Sequence, residues 1–390
     1  MQTIMRWSRI ASLAALAVWG LYGCGGGNDA LPPKASISKV YVMGDSLADV
    51  GTFSITGLFS NLKFTIVDPV TPSNSMVWSQ IIASRFGLDG SAQCNYFNIT
   101  IDPSDPTHPT TSVNSNCTNY AVGGARIVNK PSDSAPTVGT QMGARAQALI
   151  QASKQYAADE LVLIDGGGND AKDLVTAYGN GSTAFFNFLT QSGVMDATTA
   201  LSLLQSGDNG VSAGAAYMQK LADKLYTENV TPFALNMGAK KVAVLNIPDI
   251  SITPLFQVQL ARMPVENAAA LQQVIRTWIS AFNNRLKTNI GTDSRIALVD
   301  FYSDFQDEVS NPDSFGLSNV HDQACTYDYG EPFNYFPCTS TALNTTFLPA
   351  GKSPGWWKTY AFADGFHPTP YGHQLLAASV SRALARAGWL

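Results

Sequence analysis

The sequence predicts an α/β protein: a three-layer α/β/α sandwich with a central five-stranded parallel sheet and helices on both faces. Three observations predict it. Five short apolar, β-branched runs alternate along the chain with longer segments of helical spacing. The runs are near-continuously apolar, the mark of strands buried on both faces of a parallel sheet. Three of them end in glycine-bearing polar turns, as strands do where a functional site gathers at their carboxyl ends.

The elements follow in order. Residues 38–43 form the first strand, which runs into Gly44-Asp45-Ser46. Residues 76–86 carry apolar side chains at helical spacing. Residues 119–122 give a second strand, ending in Gly123-Gly124. Residues 141–156 read as a helix with Met142, Ala146, Leu149 and Ile150 on one face. The third strand, 161–165, ends in Gly166-Gly167-Gly168-Asn169-Asp170. Helical patterns extend to residue 204 and resume over 213–237. Residues 241–247 and 296–301 are the fourth and fifth strands, separated by a long helical pattern over 266–288. Residues 370–387 close the chain as an amphipathic helix, with Pro370 suited to its first turn. Residues 53–75, 88–118 and 310–360 read as long loop insertions on a single domain of residues 38–390.

Composition narrows the function. Of the 390 residues 45% are hydrophobic and 14% charged, and the net charge is -5. Globular chains carry about 25% charged residues, so the deficit argues against a disordered or coiled-coil protein. The net negative charge argues against a nucleic-acid partner, which needs a basic stripe. No apolar run reaches the roughly 18 residues of a spanning helix.

The amino terminus carries an export pattern. Arg6 and Arg9 precede an uncharged apolar run over residues 10–22, which ends in Gly23 and Cys24. Residues 1–23 are thus expected to be a signal peptide. Leu21-Tyr22-Gly23-Cys24 resembles a bacterial lipobox, which implies a lipid anchor and membrane tether on Cys24, although Tyr22 departs from the small residue usual there. Residues 24–37 read as a flexible tether. The expected location is outside the bacterial cytoplasm, as an outer-membrane lipoprotein or a periplasmic or secreted protein. Four further cysteines remain, and an oxidising compartment favours pairing them. The nearest pairs are Cys94 with Cys117 and Cys325 with Cys338.

The chemistry starts at Ser46, held in a tight turn after the first strand. A nucleophilic serine needs a base, an orienting acid and oxyanion donors. Of four histidines, His367 stands three residues after Asp364, just ahead of the last helix, so one loop delivers acid and base together. His108, His321 and His373 read as structural or solvated. The Ser46 amide, a glycine amide from Gly123 or Gly124, and the side chain of Asn169 are candidate oxyanion donors at three successive strand ends.

Four segments then carry a resemblance. Residues 44–51 (Gly-Asp-Ser-Leu-Ala-Asp-Val-Gly) resemble the first sequence block of the GDSL, or SGNH, hydrolases. Asn119-Tyr120-Ala121-Val122-Gly123-Gly124-Ala125-Arg126 is similar to the second, Gly167-Gly168-Asn169-Asp170 to the third, and Asp364-Gly365-Phe366-His367-Pro368-Thr369 to the fifth. Four blocks in order are specific where one is not. The resemblance implies a flavodoxin-like fold and ester hydrolysis by Ser46 as nucleophile, His367 as base and Asp364 as its partner. It also implies oxyanion donors at the Ser46 amide, Gly124 and Asn169, with no cofactor and no metal. The expected substrate is a small ester or lipid, and the expected state is a monomer. Acyl transfer through the same acyl-enzyme, or a catalytically silent binding protein on the same scaffold, are the alternatives. Aromatic residues of the last insertion (Phe333, Tyr335, Phe336, Trp356, Trp357) either wall an acyl-chain pocket or simply pack.

Two lookalikes fail on physical grounds. Gly351-Lys352-Ser353-Pro354-Gly355 imitates a nucleophile elbow, but Pro354 has no N–H to donate where that motif needs one. Gly166, Gly168 and Ala171 imitate a dinucleotide fingerprint, but Asp170 would present negative charge to the pyrophosphate.

Overall fold

A computed structural model describes residues 36–57, 59–128, 135–191, 193–325 and 338–390. The export segment, Cys24, nearly all of the tether, and Phe333, Tyr335 and Phe336 lie outside the described residues. The central sheet comprises β1 (Lys39–Met43), β2 (Glu160–Ile164), β3 (Val242–Leu245) and β4 (Ile296–Val299), in that spatial order and all parallel. The expected fifth strand at 119–122 is reduced to a parallel bridge between Val42 and Asn119. The Tyr120 and Val122 amides still donate to the carbonyls of Val42 and Gly44. Regular pairing stops because the Asn119 side chain accepts from the Ala121 amide and donates to the Ala48 carbonyl, a local competition typical of Asn. With that edge segment beside β1, the order is the flavodoxin-like 2-1-3-4-5.

Side-chain alternation divides the core into two layers. Tyr41, Met43, Val162, Ile164, Val242 and Val244 face one side. There they pack on α2 (Val138–Gln151), α3 (Gly168–Gly179), α4 (Val211–Asp223) and α6 (Val265–Ile290). Val40, Val42, Leu161, Leu163, Ala243 and Leu245 face the other side. Their partners are α1 (Trp78–Arg85), α7 (Phe301–Ser310) and α8 (Pro370–Arg386). The short helix α5 (Pro254–Leu260) precedes α6. The sandwich read from the sequence is therefore present in both layers.

The insertions hold more structure than expected. Phe53–Ile55, Phe59–Leu62, Phe97–Asp102 and Asp105–Val113 form a separate four-stranded sheet. Pro106 and Pro109 obscured the last strand, but it is the outer one, where a missing N–H is tolerated. The disulfide Cys94–Cys117 brackets this hairpin, and Cys325–Cys338 closes the second expected pair. Around the second disulfide Ile66, Leu343 and Trp357 form a small separate core, with Trp356 packed against it. The Trp357 indole donates to Asn344 and the Trp356 indole to the Leu343 carbonyl. These two tryptophans pack in that core.

One buried acid gives the fold a pH signature. Glu308 on α7 is 5% exposed. Burial, reinforced by Asp304 and Asp307 and opposed by Arg382, pushes its carboxyl from the ordinary 4.5 up to about 8. The unfolded chain releases this proton near 4.5, whereas the folded chain keeps it to about 8. The stabilisation is therefore complete below 4.5 and lost as pH rises through that window. Glu308→Gln should raise the Tm at pH 8.5 relative to the parent protein by more than it does at pH 5, in scanning calorimetry. An equal shift at both pH values would contradict the assignment.

Candidate active site

Four chain segments meet at the carboxyl end of the sheet. The first is the turn after β1, which is pinned from three sides. Gln141 on α2 accepts from the Gly44 amide at 2.8 Å and donates to the Gly44 carbonyl at 2.9 Å. The Asp45 amide donates to Asp165 Oδ1, and Asp45 Oδ1 accepts from the Leu47 amide. Asp165 lies so close that a Cβ on Gly44 would fall 1.5 Å from its Oδ1. Only glycine fits there. The Ser46 hydroxyl is thereby held at the strand end, and Ser46 itself is only 4% exposed.

The Asp45 and Asp165 carboxyls are buried near each other. Burial pushes both upward, and the Asp45 charge pushes Asp165 well above the usual carboxylate range. The pair therefore favours retaining a proton. Asp49 is also buried and accepts from the amides of Gly51, Thr52 and Gly123. Burial outweighs those bonds and raises its carboxyl to about 6.

The second segment follows a short strand at Tyr360–Phe362 and carries the acid and base. Asp364 Oδ1 accepts from the amides of Phe366 and His367, and Oδ2 meets His367 Nδ1 at 2.7 Å. His367 Nε2 lies 2.8 Å from Ser46 Oγ. Nδ1 is bonded to a carboxylate, so the proton is assigned there, leaving Nε2 to accept from the serine. Burial tends to raise Asp364, but the charge and hydrogen bonds of His367 outweigh it and hold the carboxyl below its ordinary value. A bond from the Ala363 amide to the His367 carbonyl closes the loop. Phe64 packs on the imidazole, ring centroids 5.1 Å apart.

The third and fourth segments are the loop 123–128 and the start of α3. The Gly123 amide is used by Asp49 at 2.7 Å. Gly124 takes the left-handed conformation, φ +79°, and its carbonyl accepts from Arg126 Nη1 at 2.7 Å. Arg126 Nε in turn bonds Asp173 on α3. Asn169 Nδ2 donates to the Ala125 carbonyl at 3.0 Å, which leaves the second amide hydrogen. Asp170 accepts from the amides of Ile127 and Val128, and burial raises its carboxyl to about 7. Helix α3 thus grips the loop through Asn169, Asp170 and Asp173.

The remaining histidines lie apart from this chemistry. His373 is fully buried on α8, where its Nδ1 accepts from the Trp78 amide at 3.4 Å. Burial first, then the neighbouring charges of His367 and Lys63, pushes it down to about 3. His108 pairs with Asp105 on the exposed hairpin, and His321 is exposed. Ser353 is exposed, in a turn closed by the Trp356 amide. Among the described residues no group of three or more His, Cys, Asp or Glu side chains forms a metal site.

Of the residues the sequence singled out, hydrogen bonds join Ser46, His367 and Asp364, while Asn169 is bonded to Ala125, next to Gly124. Gln141, Asp49, Asp165, Arg126, Asp173 and Phe64 were missed. Asp165 left one signal, a charged residue closing an otherwise apolar strand. Asp49 and Arg126 stand inside the first and second family-like segments, whereas Gln141, Asp173 and Phe64 left no signal, because each acts through a contact distant in sequence.

One comparison with known proteins shows the family. The model of the GDSL-like lipase/acylhydrolase family matches residues 40–380. Among solved structures, the extracellular lipase from Streptomyces rimosus matches at 15% identity, over 89% of this chain and 100% of that one. Its TM-score is 0.36, too slight a likeness to weigh further. No curated protein matches.

The Gly44–Asp165 contact has a measurable consequence. Gly44→Ala should cost about 1–3 kcal/mol in urea unfolding through overpacking. Combining it with Asp165→Ala should recover part of that loss, because the two sites share one contact. Strict additivity of the two changes would show that the contact does not constrain the turn.

Proposed function

The chain belongs to the GDSL-like lipase/acylhydrolase family, and from that premise we propose that it is an exported serine hydrolase cleaving carboxylic esters through an acyl-enzyme on Ser46. The observation that carries the proposal is the continuous relay of Asp364, His367 and Ser46 at 2.7 and 2.8 Å.

In this mechanism Ser46 Oγ attacks the ester carbonyl while its proton passes to His367 Nε2. Asp364 holds the ring in the required tautomer and stabilises the imidazolium that forms. The carbonyl oxygen gains negative charge and accepts from the Ser46 amide, the Gly124 amide and the second Nδ2 hydrogen of Asn169. Gly124 is preferred to Gly123 because the Gly123 amide already serves Asp49. Collapse of the tetrahedral intermediate breaks the bond to the alcohol, which takes the proton from His367. Water then attacks the acyl carbonyl and gives its proton to His367; collapse breaks the bond to Ser46 Oγ, which takes that proton back from His367 as the acid leaves.

Export is supported by the amino-terminal pattern and by the two disulfides, which persist in oxidising compartments. Residues 1–23 would be removed and 24–37 would tether the hydrolase domain of residues 38–390. Cys24 would carry the lipid if the lipobox is used. Among the described residues no helix is long and apolar enough to cross a membrane.

The test is a panel of p-nitrophenyl esters with the parent protein and two variants. Ser46→Ala should abolish turnover while circular dichroism stays unchanged. Asn169→Ala should lower kcat by about 10²–10³, the usual effect of losing one oxyanion donor, with a much smaller change in KM. Full turnover by Ser46→Ala would refute the nucleophile. A change confined to KM would make Asn169 a substrate-binding residue only.

A further inference from the structure

Building on the ester-hydrolase reading above, we infer that the apolar cavity behind Ser46 and His367 is an acyl-chain tunnel, with Phe305 and Phe362 as the partition that sets its depth. The cavity begins at Asp45 and Leu47, on either side of Ser46, and at Phe366 and Pro368, on either side of His367. Neither Ser46 nor His367 lines it. Because the residues on both sides of Ser46 and of His367 line it, the cavity abuts the pair, and a chain joined to Ser46 Oγ would enter between those neighbours. The walls beyond are Leu245 at the end of β3, Ile247 and Ile250 after it, and Phe301 and Phe305 of α7.

A second, smaller cavity adjoins the first. It shares Phe301, Phe305, Phe362 and Pro368 with the first, and extends between α7 and α8 past Val309 and Leu375 to Glu308. The Phe305 ring meets Phe362 edge-on at 5.9 Å and lies 5.5 Å from Phe301. These rings stand between the two cavities.

The lining selects an apolar occupant. Its polar side chains are mostly satisfied within the protein. Asn246 donates to Asp300 and accepts from the Tyr302 amide, and the Thr253 hydroxyl donates to the Ile250 carbonyl. Asp165 Oδ2 at the near end is the exception, without a hydrogen-bond partner among the described residues. Burial favours the protonated form of Asp165 there and of Glu308 at the far end, which lowers the penalty of placing methylenes beside them.

Size sets the chain length. The free volumes are about 50 Å³ and about 20 Å³. A water-sized group needs about 10–15 Å³ on this measure. The first cavity thus holds roughly four such groups and the second one or two. Butanoyl to hexanoyl chains fit the first cavity, and longer chains must displace the phenylalanine partition.

The test compares kcat/KM for p-nitrophenyl acetate, butanoate, hexanoate, octanoate and decanoate, using the full chain, Phe305→Ala and Ile250→Trp. The parent protein should gain about fourfold per added carbon up to its optimum at butanoate or hexanoate, then decline. Phe305→Ala opens the partition and should raise the decanoate-to-hexanoate ratio at least tenfold. Ile250→Trp fills the near cavity and should move the optimum to acetate. Ratios are taken within each protein, so a general loss of activity cancels, and the two variants act in opposite directions. Calorimetry with hexanamide on Ser46→Ala supplies a readout without turnover: binding should be lost on adding Ile250→Trp. Identical chain-length profiles in all three proteins, or hexanamide binding indifferent to Ile250→Trp, would overturn the tunnel. No turnover of any ester, together with cavity-dependent hexanamide binding, would instead refute the hydrolase reading and leave the tunnel standing.

Discussion

The contact between Ser46 Oγ and His367 Nε2 is the constraint on which the rest of the site depends. It joins residues 321 positions apart in the chain. A hydrogen bond of that kind weakens steeply with misplacement, so both loops must be fixed independently of each other. One is fixed by Gln141 and Asp165 acting on the turn after β1. The other is fixed by Asp364, which takes two backbone amides with one oxygen and the imidazole with the other. The acid thus shapes its own loop as well as orienting the base.

Buried carboxyls do most of this positioning. Asp49 accepts three amides and Asp170 two from loops that lack regular pairing, and Asp165 accepts that of Asp45. An unpaired buried amide is costly, and these acids satisfy several at once. Burial raises all three carboxyls, so the geometry is obtained against an electrostatic penalty. The consequence reaches the proposed oxyanion hole. Asp49 occupies the Gly123 amide and leaves that of Gly124, while Arg126 and Asp173 hold the Gly124 carbonyl from the opposite side.

Much of the sheet was legible because its strands are buried on both faces and read as apolar runs. The segment at Asn119 was not, since a polar side chain there replaces ladder bonds with its own. The hairpin inside Cys94–Cys117 was hidden by Pro106 and Pro109, which an outer strand tolerates. In the site, Ser46, His367 and Asp364 were legible because tight turns and short spacing mark them locally. Gln141 was illegible because its partner Gly44 is set by tertiary packing alone, and so was the pairing of Arg126 with Asp173. Aromatic content in the last insertion left a pocket wall and simple packing both open, and Trp356 and Trp357 pack around a disulfide. The aromatics that line the cavity come from α7 and the loop around His367.

The most direct measurement of the central claim is the rate at which a fluorophosphonate labels the protein, with the labelled residue identified by peptide mass spectrometry. If the relay activates Ser46, one equivalent should attach to Ser46 alone, and Asp364→Asn should slow labelling by about 10⁴, the loss typical of a misoriented imidazole. Labelling at Ser353, or an Asp364→Asn rate equal to that of the parent protein, would contradict the account.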